Sequence, residues 1–178
     1  MRVLSEQPNK KSYQDGNLRL KVFGASFQKS DILNEALNQA RVEETGLQIP
    51  KLLEVKQIDG QWTIVTEFIE GETLESLMAA HPEKMTEYLE QFVALQSEIL
   101  SKRAPLLNRL KDKMNRKIRE SGLDATTRYE LHMRLNGMRE HEKICHGDFN
   151  PSNVIVTPNG DWYVIDWSHV TQGNASAD

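Results

Sequence analysis

The sequence predicts an α+β protein of two lobes, the first rich in strands and the second mainly helical. Three observations carry this. Residues 1–69 are patterned as strands, broken by one helix-forming stretch. At "EGETL", residues 70–74, the period changes abruptly and stays helical to about residue 140. Between Asn153 and Asp166 it returns to two, as a short hairpin. On this reading residues 1–69 form one lobe and 70–178 the other. The connector lies near 67–73, with a crevice beside it of the kind ligands favour.

The elements follow in order. "RVLSE" and "NLRLKVFG" read as strands around the loop "QPNKK" and the turn "QDGN". A helix over about 31–45 is expected, with Ser30 as N-cap and Gly46 as its stop. Its predicted apolar side is Leu33, Ala36, Leu37 and Ala40. Asp59-Gly60 then joins "KLLEVKQI" and "QWTIVTEFI" as a hairpin. The helical part begins with "MTEYLEQFVALQSEILSK", in which Leu89, Phe92, Val93, Gln96, Ile99 and Leu100 share a face. "APLLNRLKDKMNRKIRESG" is expected to start its helix near Pro105 and end at Gly122. A third helix is capped by Asp124 and ended by Gly137. "NVIVT", the turn "PNG" and "DWYVIDW" complete the hairpin.

Bulk properties exclude several function classes. A chain of 178 residues with 38% hydrophobic and 27% charged content can bury a core. The net charge of −4 gives no general attraction to nucleic acid or to an anionic membrane. Six Lys or Arg do fall within 109–119, but they alternate with Leu110, Met114 and Ile118 and read as a solvated helix face. One cysteine, Cys145, allows no intrachain disulfide. No apolar run reaches membrane-spanning length, so a cytoplasmic setting is the default expectation. The five histidines lack metal-site spacing, which argues against structural zinc.

The chemistry concentrates in "ICHGDFNPSNVIV", residues 144–156, where polar groups run directly into a hydrophobic strand. "HGDFNPSN" has the arrangement H-x-D-x-x-x-x-N. An Asp five positions before an Asn suits phosphoryl transfer, where Asp148 would orient an acceptor hydroxyl and take its proton while Asn153 holds magnesium. Asp166 ends the apolar strand in "VIDW". A carboxylate there needs solvent, a partner or a divalent cation. Oxygen-only ligands suit magnesium rather than zinc.

Plainer roles are available to each residue. Asp148 and Asn153 are good turn formers. Asp166 could pair with a His or Lys. Lys21 shares a strand face with Arg19, and that face could lie toward solvent or over the crevice. Pairing with Glu35 would decide it, with Glu43 and Glu44 as weaker substitutes. His146 reads as structural, bonding backbone or Asp166, and the three tryptophans read as packing residues.

Taken in order, these motifs resemble the aminoglycoside phosphotransferase and choline kinase branch of the protein-kinase-like fold, over nearly the whole chain. "LRLKVF" is similar to the strand bearing the phosphate-binding lysine, here Lys21. "LNEAL" is similar to the helix bearing its carboxylate partner, Glu35. "IVTEFIEGETL" looks like the hinge whose main chain receives adenine, at Glu67 and Ile69. "HGDFNPSN" and "VIDW" match the catalytic loop and the metal-binding aspartate. The resemblance implies ATP and Mg2+ as cofactors and a small-molecule hydroxyl, on an amino-sugar, amino-alcohol or similar metabolite, as acceptor. Gly147, where protein kinases usually carry Arg, and Trp167-Ser168 in place of Phe-Gly point to the small-molecule kinases.

Two departures accompany the likeness. No G-x-G-x-x-G loop precedes Lys21; the candidate phosphate cover is "SEQPNKKSY", with Lys10 and Lys11 as point charges. Relatives continue beyond the metal-binding aspartate with helices that line the acceptor pocket, whereas this chain stops at Asp178, so an incomplete helical lobe is expected. A catalytically inactive nucleotide-binding module, a protein kinase and a helical interaction protein remain as alternative functions.

Overall fold

The computed structural model describes residues 1–177. Strands β1 (Arg2–Gln7), β2 (Lys10–Asp15), β3 (Leu18–Phe23), β4 (Leu52–Ile58) and β5 (Gln61–Glu67) form one antiparallel sheet in the order β1-β2-β3-β5-β4. Helix α1 (Lys29–Glu43) connects β3 to β4. The β4–β5 turn has positive φ at both Asp59 and Gly60, 49° and 77°. That conformation matches the twist of a two-residue hairpin and suits an Asp-Gly pair.

The rest is mainly helical: α2 (Leu74–Ala80), α3 (Met85–Ser101), α4 (Leu110–Glu120) and α5 (Ala125–Gly137). Asp124 caps α5, accepting from the Thr127 N–H at 3.0 Å. Three short strands, β6 (Glu72–Thr73), β8 (Val154–Val156) and β9 (Trp162–Val164), make a second sheet in the order β6-β8-β9. A third pairs β7 (Lys143–Cys145) with β10 (Thr171–Gly173). This is the two-part α+β architecture, strand-rich and then mainly helical, that the sequence predicts.

One core joins the lobes. Val42, Leu47 and Ile49 pack with Ile99, Leu107, Ile144, Val164, Trp167 and Val170. Trp167 is 1% exposed, and its indole N–H donates to the Val164 carbonyl at 2.9 Å. Truncating such a residue typically costs about 3–5 kcal/mol. A second cluster of Phe23, Ile32, Ala36 and Ile64 fixes α1 to the sheet.

Several elements differ from the expectation. "QPNKK" is a loop only at Pro8-Asn9: Lys10–Asp15 is a strand, because β3 offers its whole length as a partner. Helix α1 runs 29–43 and buries Ile32, Ala36, Asn38 and Val42, while Leu33 and Leu37 are exposed. The sequence holds two neighbouring i, i+4 stripes, and the buried one has flanking polar groups with partners. Gln39 donates to the Pro50 carbonyl, and Glu43 accepts from the Leu52 N–H. Leu89 and Val93 of α3 are likewise exposed, and the buried side passes through Ile99 with Phe92 and Leu95 half-buried.

Helix α4 begins at Leu110 rather than near Pro105. The Pro105 and Leu107 carbonyls are taken by the Gln172 amide at 2.9 and 2.7 Å, and Leu107 enters the core, so residues 102–109 stay irregular. The stretch 70–140 is also not wholly helical. Glu72 and Thr73 pair with Val156 and Ile155. Gly71 allows that approach, since a Cβ there would lie 2.3 Å from the Val156 carbonyl oxygen.

Candidate active site

Lys21 sits on β3 between Ser12 of β2 and Ile64 of β5, at 7% exposure. A lysine this deep needs charged partners. It has two: its ammonium binds Glu35 Oε1 on α1 and lies 3.1 Å from Asp166 Oδ1. The strand face shared with Arg19 is thus the crevice side. Glu43 is occupied with the Leu52 N–H, leaving Glu35 as the carboxylate that meets Lys21. Behind the triad is a cavity of about 20 Å³, lined by Thr66 and Trp167 among others. It is about the size of one water.

Asp166 follows β9 and takes the left-handed conformation, φ 61° and ψ 62°. For a residue other than glycine this costs on the order of 1 kcal/mol or more, and it persists where surroundings enforce it. Here they do. The Ile165 N–H donates to the Asn153 carbonyl at 2.9 Å, Trp167 is locked in the core, and Lys21 holds the carboxylate. Burial opposes ionisation of Asp166. The Lys21 and Lys10 ammoniums and hydrogen bonds from Ser168 and Lys21 outweigh it, so the carboxyl stays well below the usual carboxylate range.

The hairpin pairing also brings Asn153 beside Asp166. The Asn153 amide nitrogen donates to the Asp148 carbonyl at 2.9 Å and to Asp148 Oδ2 at 3.0 Å. A carboxylate and a carbonyl can only accept, so the amide orientation is fixed by chemistry and its oxygen is left to face elsewhere. Asp148 is exposed, and its other oxygen accepts from Asn150 Nδ2 at 3.0 Å. Phe149 anchors the loop by stacking on Phe92 of α3, ring centroids 4.4 Å apart.

His146 is fully buried. Its Nε2–H donates to the Ile165 carbonyl at 3.0 Å, and its Nδ1 accepts from the Asp148 N–H at 3.2 Å. It therefore ties the loop to the residue preceding Asp166, the structural part expected of it. Gly147 has φ 83°, and a Cβ there would fall 2.9 Å from the His169 carbonyl oxygen. Only glycine meets both demands.

At the other edge of the crevice, Glu67 donates its backbone N–H to Lys51 O at 2.9 Å, and Phe68 donates to Asn17 O at 2.8 Å. The Glu67 carbonyl accepts from the Thr66 hydroxyl at 3.2 Å, and the Ile69 N–H has no hydrogen-bond partner among the described residues. Over the crevice, the β1–β2 turn is fastened by the Gly24 N–H to the Asn9 carbonyl, 2.8 Å. Lys10 turns inward: burial and then Lys21 lower its pKa, against Asp166 and Glu35. Lys11 turns outward to Glu6 at 2.5 Å.

The structure thus brings Lys21, Glu35 and Asp166 into direct contact, joins Asn153 to Asp148, and links the two groups through the hairpin. Glu67 and Ile69 stand apart at the hinge. Sequence reasoning missed Phe149, Asn150 and Ser168; Asn150 alone left a signal, as an Asx residue two before Ser152. Among the described residues no group of three or more His, Cys, Asp or Glu could hold a metal. The available donors are instead the Asn153 amide oxygen and the Asp166 carboxylate. That hard-oxygen pair fits magnesium, which keeps waters and phosphate oxygens as its other ligands.

Fold and site together define a kinase-like phosphotransferase architecture. The family model described as "Phosphotransferase enzyme family" matches residues 13–178, and the chain belongs to that family. Among curated proteins, none matches it. Solved structures with the same fold include a thermostable mutant of aminoglycoside phosphotransferase APH(4)-Ia in its apo form. The TM-score is 0.68 at 19% identity, covering 97% of this chain and 68% of that one. The streptomycin-ATP-APH(2")-IIa ternary complex gives 0.63 at 20% identity, covering 99% and 68%. A choline/ethanolamine kinase family protein from Mesorhizobium loti gives 0.58 at 18%, covering 93% and 57%.

Proposed function

We propose that the chain binds Mg-ATP in the crevice between its lobes and transfers the γ-phosphate to a hydroxyl of a small molecule, such as an amino-sugar, an amino-alcohol or a similar metabolite. The observation that carries the reading is the ammonium of Lys21 held between Glu35 and Asp166, one hairpin step from Asn153 and Asp148. This arrangement supports a reading in which a fixed cation, two oxygen ligands and a proton acceptor lie along one path.

In this reading the lobe of residues 1–69 holds the nucleotide. The Ile69 N–H and the Glu67 carbonyl receive adenine, and Lys21 binds the non-transferred phosphates. Lys10 adds a second cation from above, in place of a glycine-rich loop. Asn153 and Asp166 hold magnesium, which when bound offsets the charge of the phosphate oxygens. Asp148 orients the acceptor hydroxyl and takes its proton as the oxygen bonds to the γ-phosphorus. The bond from that phosphorus to the bridging oxygen breaks, and ADP leaves. The chain's single cysteine, buried at Cys145, suits a reducing, cytoplasmic setting. Among the described residues no helix is long and apolar enough to cross a membrane.

Calorimetry with AMP-PNP, with and without magnesium, tests the nucleotide half. Acceptor-dependent ADP release tests the transfer. Binding without any turnover across amino-sugars and amino-alcohols would favour the inactive nucleotide-binding module, and no magnesium-dependent binding would end the proposal.

A further inference from the structure

Next to the site, between α1 and α4, lies a cavity of about 740 Å³. That is the size of a small-molecule pocket. Its floor is Ser168–Thr171, beginning two residues after Asp166. The His169 carbonyl in this floor packs directly on Gly147, the residue before Asp148. The floor of the cavity thus abuts the catalytic loop, and Glu35 lines both this cavity and the small one at the Lys21 site.

Its charge is unusual for an acidic protein. Six Lys or Arg line it against three carboxylates, Asp31, Glu35 and Asp112. Glu35 is already engaged by Lys21. Lys113, Arg116 and Lys117 fall at i, i+3 and i+4, so one face of α4 presents all three. The sequence suggested a solvated face, and Arg116 and Lys117 are indeed exposed; that face also forms one wall of the open cavity. No ion pair among the described residues involves these three or Lys10. Lys113 is positioned by donating to the His169 carbonyl at 2.9 Å. Burial, followed by the nearby Lys117 and Arg116, lowers its pKa, as expected of a cation among uncompensated cations.

We infer that this cavity is an anion-selective acceptor pocket, admitting a hydroxylated small molecule that also carries a phosphate or carboxylate group. A polycation such as an aminoglycoside would meet like charge here. An anionic group would relieve the mutual repulsion of the α4 cations and meet the Arg116 fork. The word acceptor rests on the phosphotransferase reading; the anion selectivity rests on the cavity alone.

The test is calorimetry on the protein saturated with Mg-AMP-PNP, which blocks the nucleotide phosphate positions. Inorganic phosphate, glycerol 3-phosphate, glycerol and choline are titrated in turn. Phosphate and glycerol 3-phosphate should bind, glycerol more weakly and choline least, with the anion affinity falling as salt rises. Arg116→Glu with Lys117→Glu should weaken glycerol 3-phosphate about tenfold while leaving AMP-PNP affinity unchanged. Neutral Lys117→Gln, which introduces no carboxylate, should show a smaller loss in the same direction. Tighter binding of choline, no anion binding, or anion binding indifferent to these changes would overturn the inference. If AMP-PNP fails to bind while phosphate still binds through Arg116 and Lys117, the anion pocket stands and the phosphotransferase reading falls.

Discussion

Lys21 and Asp166 stand 145 positions apart in the sequence and 3.1 Å apart in space. Their contact joins the strand-rich lobe to the end of the second lobe's hairpin, and it makes Lys21 the common partner of two carboxylates. Removing the ammonium would leave both with an uncompensated charge. Lys21→Met is therefore expected to lower unfolding stability by about 3 kcal/mol, the scale for breaking a desolvated pair, measured by denaturant titration. The double variant Lys21→Met with Glu35→Leu should recover part of the loss. Strictly additive losses would show that the pair is not coupled.

Asp166 combines charge with a left-handed backbone, and two substitutions separate these. Asn tolerates φ 61° and Ala does not, so Asp166→Asn should be more stable than Asp166→Ala by about 1 kcal/mol. Both should weaken magnesium-dependent AMP-PNP binding. The pH dependence has a definite sign. Because the folded carboxyl stays ionised below its ordinary range, its contribution is fully present above the unfolded carboxylate pKa. It is lost as pH falls from there through the lower folded value. Stability of the native protein should thus fall more steeply with acid than that of Asp166→Asn. Equal slopes in urea midpoints between pH 5 and pH 2 would count against this.

Gly147 meets two demands at once, a φ of 83° and the packing of the His169 carbonyl where a Cβ would be. Gly147→Ala is expected to cost about 2 kcal/mol or more, since neither backbone can yield cheaply. The same change should displace Asp148 and so reduce turnover further than the stability loss explains. A variant with native stability would show that the loop can relax, and would remove the argument for glycine here.

The strand and helix order was legible because each element carries a local signal: the Asp59-Gly60 turn, the Asp124 cap, the alternation in "VIDW". Which face each helix buries was not. In α1 the stripes Leu33–Leu37 and Ile32–Ala36 are both apolar, and packing of Ile32 and Ala36 against Phe23 and Ile64, with the partners of Gln39 and Glu43, selects the second. The start of α4 depends on Gln172, some sixty residues downstream. At the site, residue types and spacing pointed to Lys21, Glu35, Asp148, Asn153 and Asp166, since ionisable groups beside apolar strands need partners. The anchoring of Phe149 on Phe92 and the inward turn of Lys10 are products of packing, with no pattern to announce them.

Asp148 offers the sharpest separation of chemistry from binding. Its two carboxylate oxygens accept from the Asn150 and Asn153 amides, which orient it without burying it. Asp148→Asn keeps the shape and removes the proton-accepting charge. One amide hydrogen bond would then meet a donor instead of an acceptor, a local cost of about 1 kcal/mol. The Lys21–Asp166 contact, proposed to hold the nucleotide, is not touched by the change. Transfer to the acceptor should therefore fall by about 10²-fold or more, with AMP-PNP affinity within a few-fold of native. Single-turnover ADP release alongside calorimetry gives both numbers. A native rate in Asp148→Asn would remove the residue from the chemistry, whereas a matching loss of nucleotide affinity would recast it as a determinant of the metal-binding geometry at Asn153.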